Sequence, residues 1–76
     1  MSKKMYKQAL EVIESLLKNV QLSLEEKSRA YYLKGVVLEK MWRDLEAIKA
    51  YKNAIEADKN TPWAKLAQSA LDILKN

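Results

Sequence analysis

Glycine and proline are almost missing from this chain, and their scarcity limits the folds that it can adopt. Gly35 and Pro62 are the one glycine and the one proline among 76 residues. Tight turns between strands and phosphate-binding loops depend on glycine, so this sequence is poorly suited to a sheet or a phosphate loop. Its most abundant residues, lysine, leucine, alanine and glutamate, are strong helix formers. The sequence therefore predicts an all-α fold with one domain over residues 1–76.

The ionisable residues argue against several classes of function. The chain has 14 basic and 10 acidic residues, a net charge of +4, and the two signs are interleaved rather than gathered in a polybasic tail. It has no histidine and no cysteine, which removes the commonest general base and the thiolate metal ligands. We expect no enzymatic activity, no cofactor and no metal site.

Targeting signals are also missing from the sequence. The basic residues near the N-terminus are not followed by an apolar segment of the kind found in signal peptides. No apolar run approaches the ~18 residues that a membrane span requires. We therefore expect a cytoplasmic protein with no membrane partner.

Apolar residues recur at spacings of three and four, which predicts four amphipathic helices. The first covers roughly residues 3–19. The second runs from Ser23 to Met41 or Trp42 and is apolar on more than one side, so we expect it to lie centrally. The connections are short, which favours antiparallel neighbours. The apolar stripe of the first helix consists of Tyr6, Ala9, Leu10, Ile13, Leu16, Leu17 and Val20.

Three helix starts are marked by capping residues. Ser23 and Glu26 form the pattern of a capping box for the second helix. Asp44 is the expected N-cap of the third helix, which ends near residues 58–60. Thr61 is the expected N-cap of the fourth, because Pro62 then occupies the first helical position, where its missing N–H costs nothing.

The second and third helices resemble one tetratricopeptide repeat, a helix-turn-helix unit of about 34 residues. Tyr31 stands where the family prefers tryptophan, and Gly35 follows four residues later. Ala47, Tyr51 and Ala54 match the small-aromatic-small series of the second helix of a repeat. The matching stretch runs from residue 27 or 28 to residue 60 or 61.

The family pattern is altered at four positions. Lys34 and Leu38 replace a leucine and a tyrosine, Trp42 lies where a turn glycine is common, and Lys59 replaces the terminal proline. The flanking helices extend the resemblance: the first is similar to the second helix of a preceding repeat, and the fourth is similar to a capping helix. The resemblance implies an antiparallel array of about one and a half repeats and a cap.

Gly35 has a physical role that agrees with this resemblance. Glycine inside a helix costs ~1 kcal/mol relative to alanine, so a compensating contact is expected. Ala47 and Ala54 are small enough to let the third helix approach closely, and Tyr51 is expected to pack over that contact. Tyr31 is also expected in the core. Trp42, at the following turn, is expected to cover the core.

The resemblance implies that the chain binds a peptide or helix of another protein in a concave apolar groove. The family's best-known groove holds a C-terminal carboxylate with lysine and asparagine, and here only Lys40 matches, so an apolar helix or extended segment is the expected ligand. Aromatic residues and arginine are common anchors at protein interfaces. The implied protein-binding residues are Arg29, Tyr32, Leu33, Val36, Lys40, Trp63 and Leu66.

Two other functions remain open. The surface of the first two helices that a preceding helix would cover could instead bind a second copy of the chain, which would make the protein a homo-oligomeric structural protein. The basic residues could also support weak nucleic-acid binding, although acidic residues interrupt them and no nucleic-acid motif is present. The sequence favours an adaptor or scaffold over both.

Overall fold

The computed structural model describes residues 3–75, with side chains from residue 5 to residue 74. It contains four α-helices: α1 (Lys3–Leu17), α2 (Leu24–Lys40), α3 (Asp44–Ala57) and α4 (Pro62–Lys75). No strand occurs within this range, which confirms the predicted all-α class. Each of these four helices is too short or too polar to cross a lipid bilayer.

Two of the three predicted helix caps are present. The backbone N–H of Glu26 donates to Oγ of Ser23 (3.1 Å), and the N–H of Ser23 donates to Oε1 of Glu26 (3.1 Å), which completes the capping box. The Ser23 N–H and hydroxyl also lower the pKa of Glu26. At α4 the N–H of Ala64 donates to Oγ1 of Thr61 (3.1 Å).

The third cap prediction is wrong. Asp44 is the first residue of α3, Arg43 occupies the N-cap position, and no side chain caps the helix. Nε of Arg43 instead donates to Oε1 of Glu46 at 3.0 Å. Helix α3 begins one residue earlier than the sequence pattern suggested, so Asp44 adds its negative charge to the first turn of α3, where the helix dipole favours it.

Helix α2 lies at the centre, as predicted. Its backbone packs closely against α1, α3 and α4, whereas α1 packs closely against α2 alone among the four described helices. Consecutive helices therefore form helical hairpins around one apolar core. The residues of that core are Leu10, Leu38, Ala47, Ala50, Tyr51, Ala54, Ala67 and Leu71.

Gly35 is buried against α3, and the ring of Tyr51 explains why the position must be glycine. A Cβ atom on Gly35 would lie 2.5 Å from Cε1 and 2.6 Å from Cδ1 of Tyr51, far inside contact distance. Ala47 and Ala54, on the same helix as Tyr51, are fully buried. The small residue thus makes room for an aromatic ring, and the ring itself, rather than the backbone of α3, is the nearest neighbour.

The hydroxyl of Tyr51 reaches the edge of the core. It donates to Oε1 of Glu39 at 3.2 Å. Burial raises the pKa of Tyr51 well above its usual range, and the nearby charge of Glu39 raises it further. Tyr51 therefore remains a neutral hydrogen-bond donor at all ordinary pH values.

A buried polar contact that the sequence did not suggest ties three helices together. Oγ of Ser28 donates to the carbonyl oxygen of Ala54 (2.8 Å) and lies 2.9 Å from Oγ1 of Thr61. Oγ1 of Thr61 also lies 3.1 Å from the carbonyl oxygen of Asp58, and its single proton can be donated either to that carbonyl or to Oγ of Ser28. Thr61 therefore both caps α4 and joins it to α2 and to the end of α3.

The prediction that Trp42 covers the core is wrong. Its side chain is 86% exposed, and its φ angle is 61°, in the left-handed region. The N–H of Arg43 donates to the carbonyl of Leu38 (2.9 Å), and the N–H of Trp42 donates to that of Glu39 (3.0 Å). These two bonds define a Schellman motif, which favours glycine at the position that Trp42 occupies.

Candidate functional site

Helix α1 exposes apolar side chains that no described helix covers. Leu10 is its one buried apolar side chain in the described range, on the side that faces α2. Val12 is 68% exposed and Leu16 is 45% exposed, and Met5 lies exposed seven residues before Val12. Residues at spacings of four and seven lie along one face of a helix. Met5, Val12 and Leu16 therefore form an uncovered apolar stripe.

An apolar groove lies beside this stripe, between α1 and α2. It has a volume of about 280 Å³. Glu26 and Arg29 are its charged lining residues, and Glu26 is held by the capping box with Ser23. We call this depression the α1–α2 groove, and its lining consists of Val12, Ile13, Leu16, Leu22, Glu26, Arg29, Ala30 and Leu33.

A stack of aromatic rings joins α2 to α3 and α4 on the other side of Arg29. The ring centroids of Tyr32 and Tyr51 are 5.8 Å apart, and those of Tyr32 and Trp63 are 6.0 Å apart, both with tilted planes. The guanidinium carbon of Arg29 lies 5.6 Å from the centroid of the Trp63 ring. This cation–π contact holds the arginine side chain between the aromatic stack and the α1–α2 groove.

The structure distributes the seven predicted binding residues over separate places. Arg29 and Leu33 line the α1–α2 groove. Tyr32 and Trp63 are half-buried in the aromatic stack. The remaining three do not share one depression with these residues: Val36 packs half-buried against the core, Lys40 lines a shallow depression near Trp42, and Leu66 is exposed on α4.

Sequence reasoning missed part of the groove lining. The predicted stripe of α1 does not include Val12, and Leu22 lies in the connection to α2, outside the predicted helices. A signal for this surface exists in the sequence: Gln8, Val12, Ser15 and Leu16 are all uncharged and lie between the core-facing side of α1 and its charged side. The charges lie elsewhere on α1, where Glu14 pairs with Lys34 of α2 at 3.9 Å.

No group of three or more acidic side chains among the described residues comes together in an arrangement that could hold a metal ion. Every buried polar side-chain atom in the described range has a hydrogen-bond partner. The arrangement supports recognition of apolar surfaces.

The described residues form four packed α-helices with an open apolar groove between α1 and α2. No protein-family model matches the chain, and the searches of curated proteins and of solved structures found no match either.

Proposed function

We propose that this chain is a non-enzymatic protein-interaction module, an adaptor or scaffold that binds an apolar helix of another polypeptide in the α1–α2 groove. One observation carries the proposal: α1 is packed against a neighbour on one side only, and the adjoining side is an open apolar groove. Large contiguous apolar surfaces that are left uncovered often mark sites that bind another molecule.

The tetratricopeptide resemblance supports this proposal. Gly35, Tyr51, Ala47 and Ala54 are buried, as the repeat pattern requires of them. In an antiparallel array of that family, α1 would correspond to the second helix of a preceding repeat and α4 to a capping helix. The α1–α2 groove would then lie where the first helix of that preceding repeat packs. A partner's helix would take the place of that first helix.

The lining of the groove defines the chemistry of its ligand. Val12, Leu16 and Leu33 would bury a ridge of aliphatic side chains on one face of a partner helix. Arg29, fixed over Trp63 at the rim, would favour an acidic side chain flanking that ridge. The ligand is therefore an amphipathic helix with aliphatic side chains at spacings of three and four and a carboxylate beside them.

A suitable test must change the groove without changing the fold. Tyr32→Ala is unsuitable, because Tyr32 packs against both Tyr51 and Trp63 and its loss would disturb the core. Leu33→Glu puts a charge into the groove from a position that is already exposed. Leu45→Glu is the matched control, because Leu45 is 85% exposed and lies on α3, outside the groove.

The probe is a synthetic amphipathic helix of the stated pattern, about 15 residues or roughly 22 Å long. Titration into isotopically labelled protein, followed by amide NMR shifts, should perturb residues along the groove and give saturable binding. Leu33→Glu should weaken binding at least about tenfold, and Leu45→Glu should leave it unchanged. A scrambled peptide of the same composition should not bind. Equal binding of both peptides, or shifts centred away from the groove, would refute the proposed site.

A further inference from the structure

The uncharged surface of α1 extends beyond the α1–α2 groove. A helix placed in the groove would contact Val12 and Leu16, which line it. The uncharged surface continues past these residues to Gln8 and Ser15, which are exposed and lie outside the groove lining. A second helix could therefore pack over Gln8 and Ser15 without burying a charged side chain.

Pairing of two copies about a two-fold axis would place a second helix over Gln8 and Ser15. In such a pair, α1 of one copy occupies the α1–α2 groove of the other, and the symmetry makes the reverse true at the same time. Each α1 then touches the α1 of the other copy through Val12 and Leu16. Each α1 also touches the α2 of the other copy through the next part of its surface, where Gln8 and Ser15 lie.

The same aliphatic residues can serve both sides of this contact. Val12 and Leu16 belong to the exposed stripe of α1 and also line the α1–α2 groove, so a two-fold axis would bring each of them close to its counterpart in the other copy. The charges agree with this pairing, because Glu11 and Lys18 lie on the side of α1 beyond Ser15, where they would flank the interface instead of entering it. Arg29 at the groove rim would lie near the side of the other copy's α1 that carries Glu11.

We infer that the occupant of the α1–α2 groove is α1 of a second copy, so that α1 and α2 of two chains form a symmetric four-helix interface. This inference rests on the proposed function, since it names the partner of the same groove. A helix of another protein would then compete with α1 of the second copy for the α1–α2 groove.

Sedimentation velocity across a wide range of protein concentration tests this inference. The mass should rise from 8.8 kDa towards twice that value as concentration increases. Val12→Glu should raise the dimer dissociation constant at least about tenfold, because the symmetry buries two carboxylates near each other without partners. Val12 is exposed in the single chain, so this variant should keep the parent's helical circular dichroism, and it should keep the parent's melting temperature at concentrations too low for copies to associate. Leu45→Glu, on α3, should leave the dissociation constant unchanged.

Cysteine cross-linking tests the two-fold arrangement itself. The chain has no cysteine, so Val12→Cys introduces a single thiol, close to the expected axis. Mild oxidation should join two copies rapidly, whereas Leu45→Cys, at a position that is more exposed than Val12, should cross-link at the slow rate of random collision. Equal rates for the two variants would overturn the proposed pairing.

The outcomes separate this inference from the proposed function. A chain that stays monomeric at all concentrations, and still binds the amphipathic probe peptide in the groove, would overturn pairing and leave the binding function intact. A dimer that is insensitive to Val12→Glu would also overturn the pairing. A dimer that is weakened by Val12→Glu, and that the probe peptide dissociates, would support both.

Discussion

The contact between α2 and α3 and the contact between α1 and α2 are built in opposite ways. Between α2 and α3, glycine and fully buried alanines surround one aromatic ring, and little space is left over. Between α1 and α2, larger aliphatic side chains meet along one edge and leave an open groove. The first contact is specific to one geometry and stabilises the fold. The second leaves apolar surface available for another polypeptide.

The largest expected change in unfolding free energy is at the α2–α3 contact. Gly35→Leu should cost more than about 3 kcal/mol of unfolding free energy, because even a Cβ atom would collide with the Tyr51 ring. Since a domain of this size has only a few kcal/mol of stability, the variant should be largely unfolded by circular dichroism. A melting temperature equal to the parent's would contradict the close contact.

A double-mutant cycle measures the contact between Gly35 and Tyr51 directly. Gly35→Ala should destabilise the parent despite the better helix propensity of alanine, because of the collision with the ring. In a Tyr51→Leu background the ring is gone, so Gly35→Ala should become neutral or stabilising. A coupling free energy of about 1 kcal/mol or more, measured by urea unfolding, would confirm that these two residues meet.

The Gly35 contact was predictable from sequence for a physical reason. One glycine inside an otherwise strong helix has a cost, and the small residues of the next helix repeat at the spacing needed to offset it. The α1 edge was harder to predict, because Val12 and Leu16 follow the same spacing as core residues. Whether such residues become buried depends on how many helices pack against α1, and a pattern within one helix does not contain that number.

Matched leucine truncations compare the two regions directly. Leu38→Ala should cost about 3 kcal/mol, because Leu38 is fully buried in α2 and its removal leaves a cavity. Leu16→Ala, on α1, should cost under about 1 kcal/mol in the single chain, because Leu16 is 45% exposed. Urea unfolding at low protein concentration, where copies do not associate, gives both values.

An equal loss of unfolding free energy in Leu38→Ala and Leu16→Ala would mean that α1 is as tightly packed as α2. The α1–α2 groove would then not be an open surface. If Leu16→Ala becomes more costly as protein concentration rises, the added cost measures the association of two copies through α1.

The smallest expected change in unfolding free energy is at the turn between α2 and α3, where the prediction that Trp42 covers the core is wrong. Trp42 has a φ angle of 61° and an exposed side chain, so its packing does not offset the strain of the left-handed conformation. Trp42→Gly should therefore stabilise the protein by about 1 kcal/mol. Trp42→Ala is the matched control, because it removes the indole ring and keeps the strain. The urea midpoint should rise for glycine and not for alanine, whereas equal midpoints would mean that the backbone angle carries no cost. Because this turn lies outside the α1–α2 groove, the same glycine variant should bind the probe peptide as the parent does, which would separate the strained hairpin turn from the proposed binding surface.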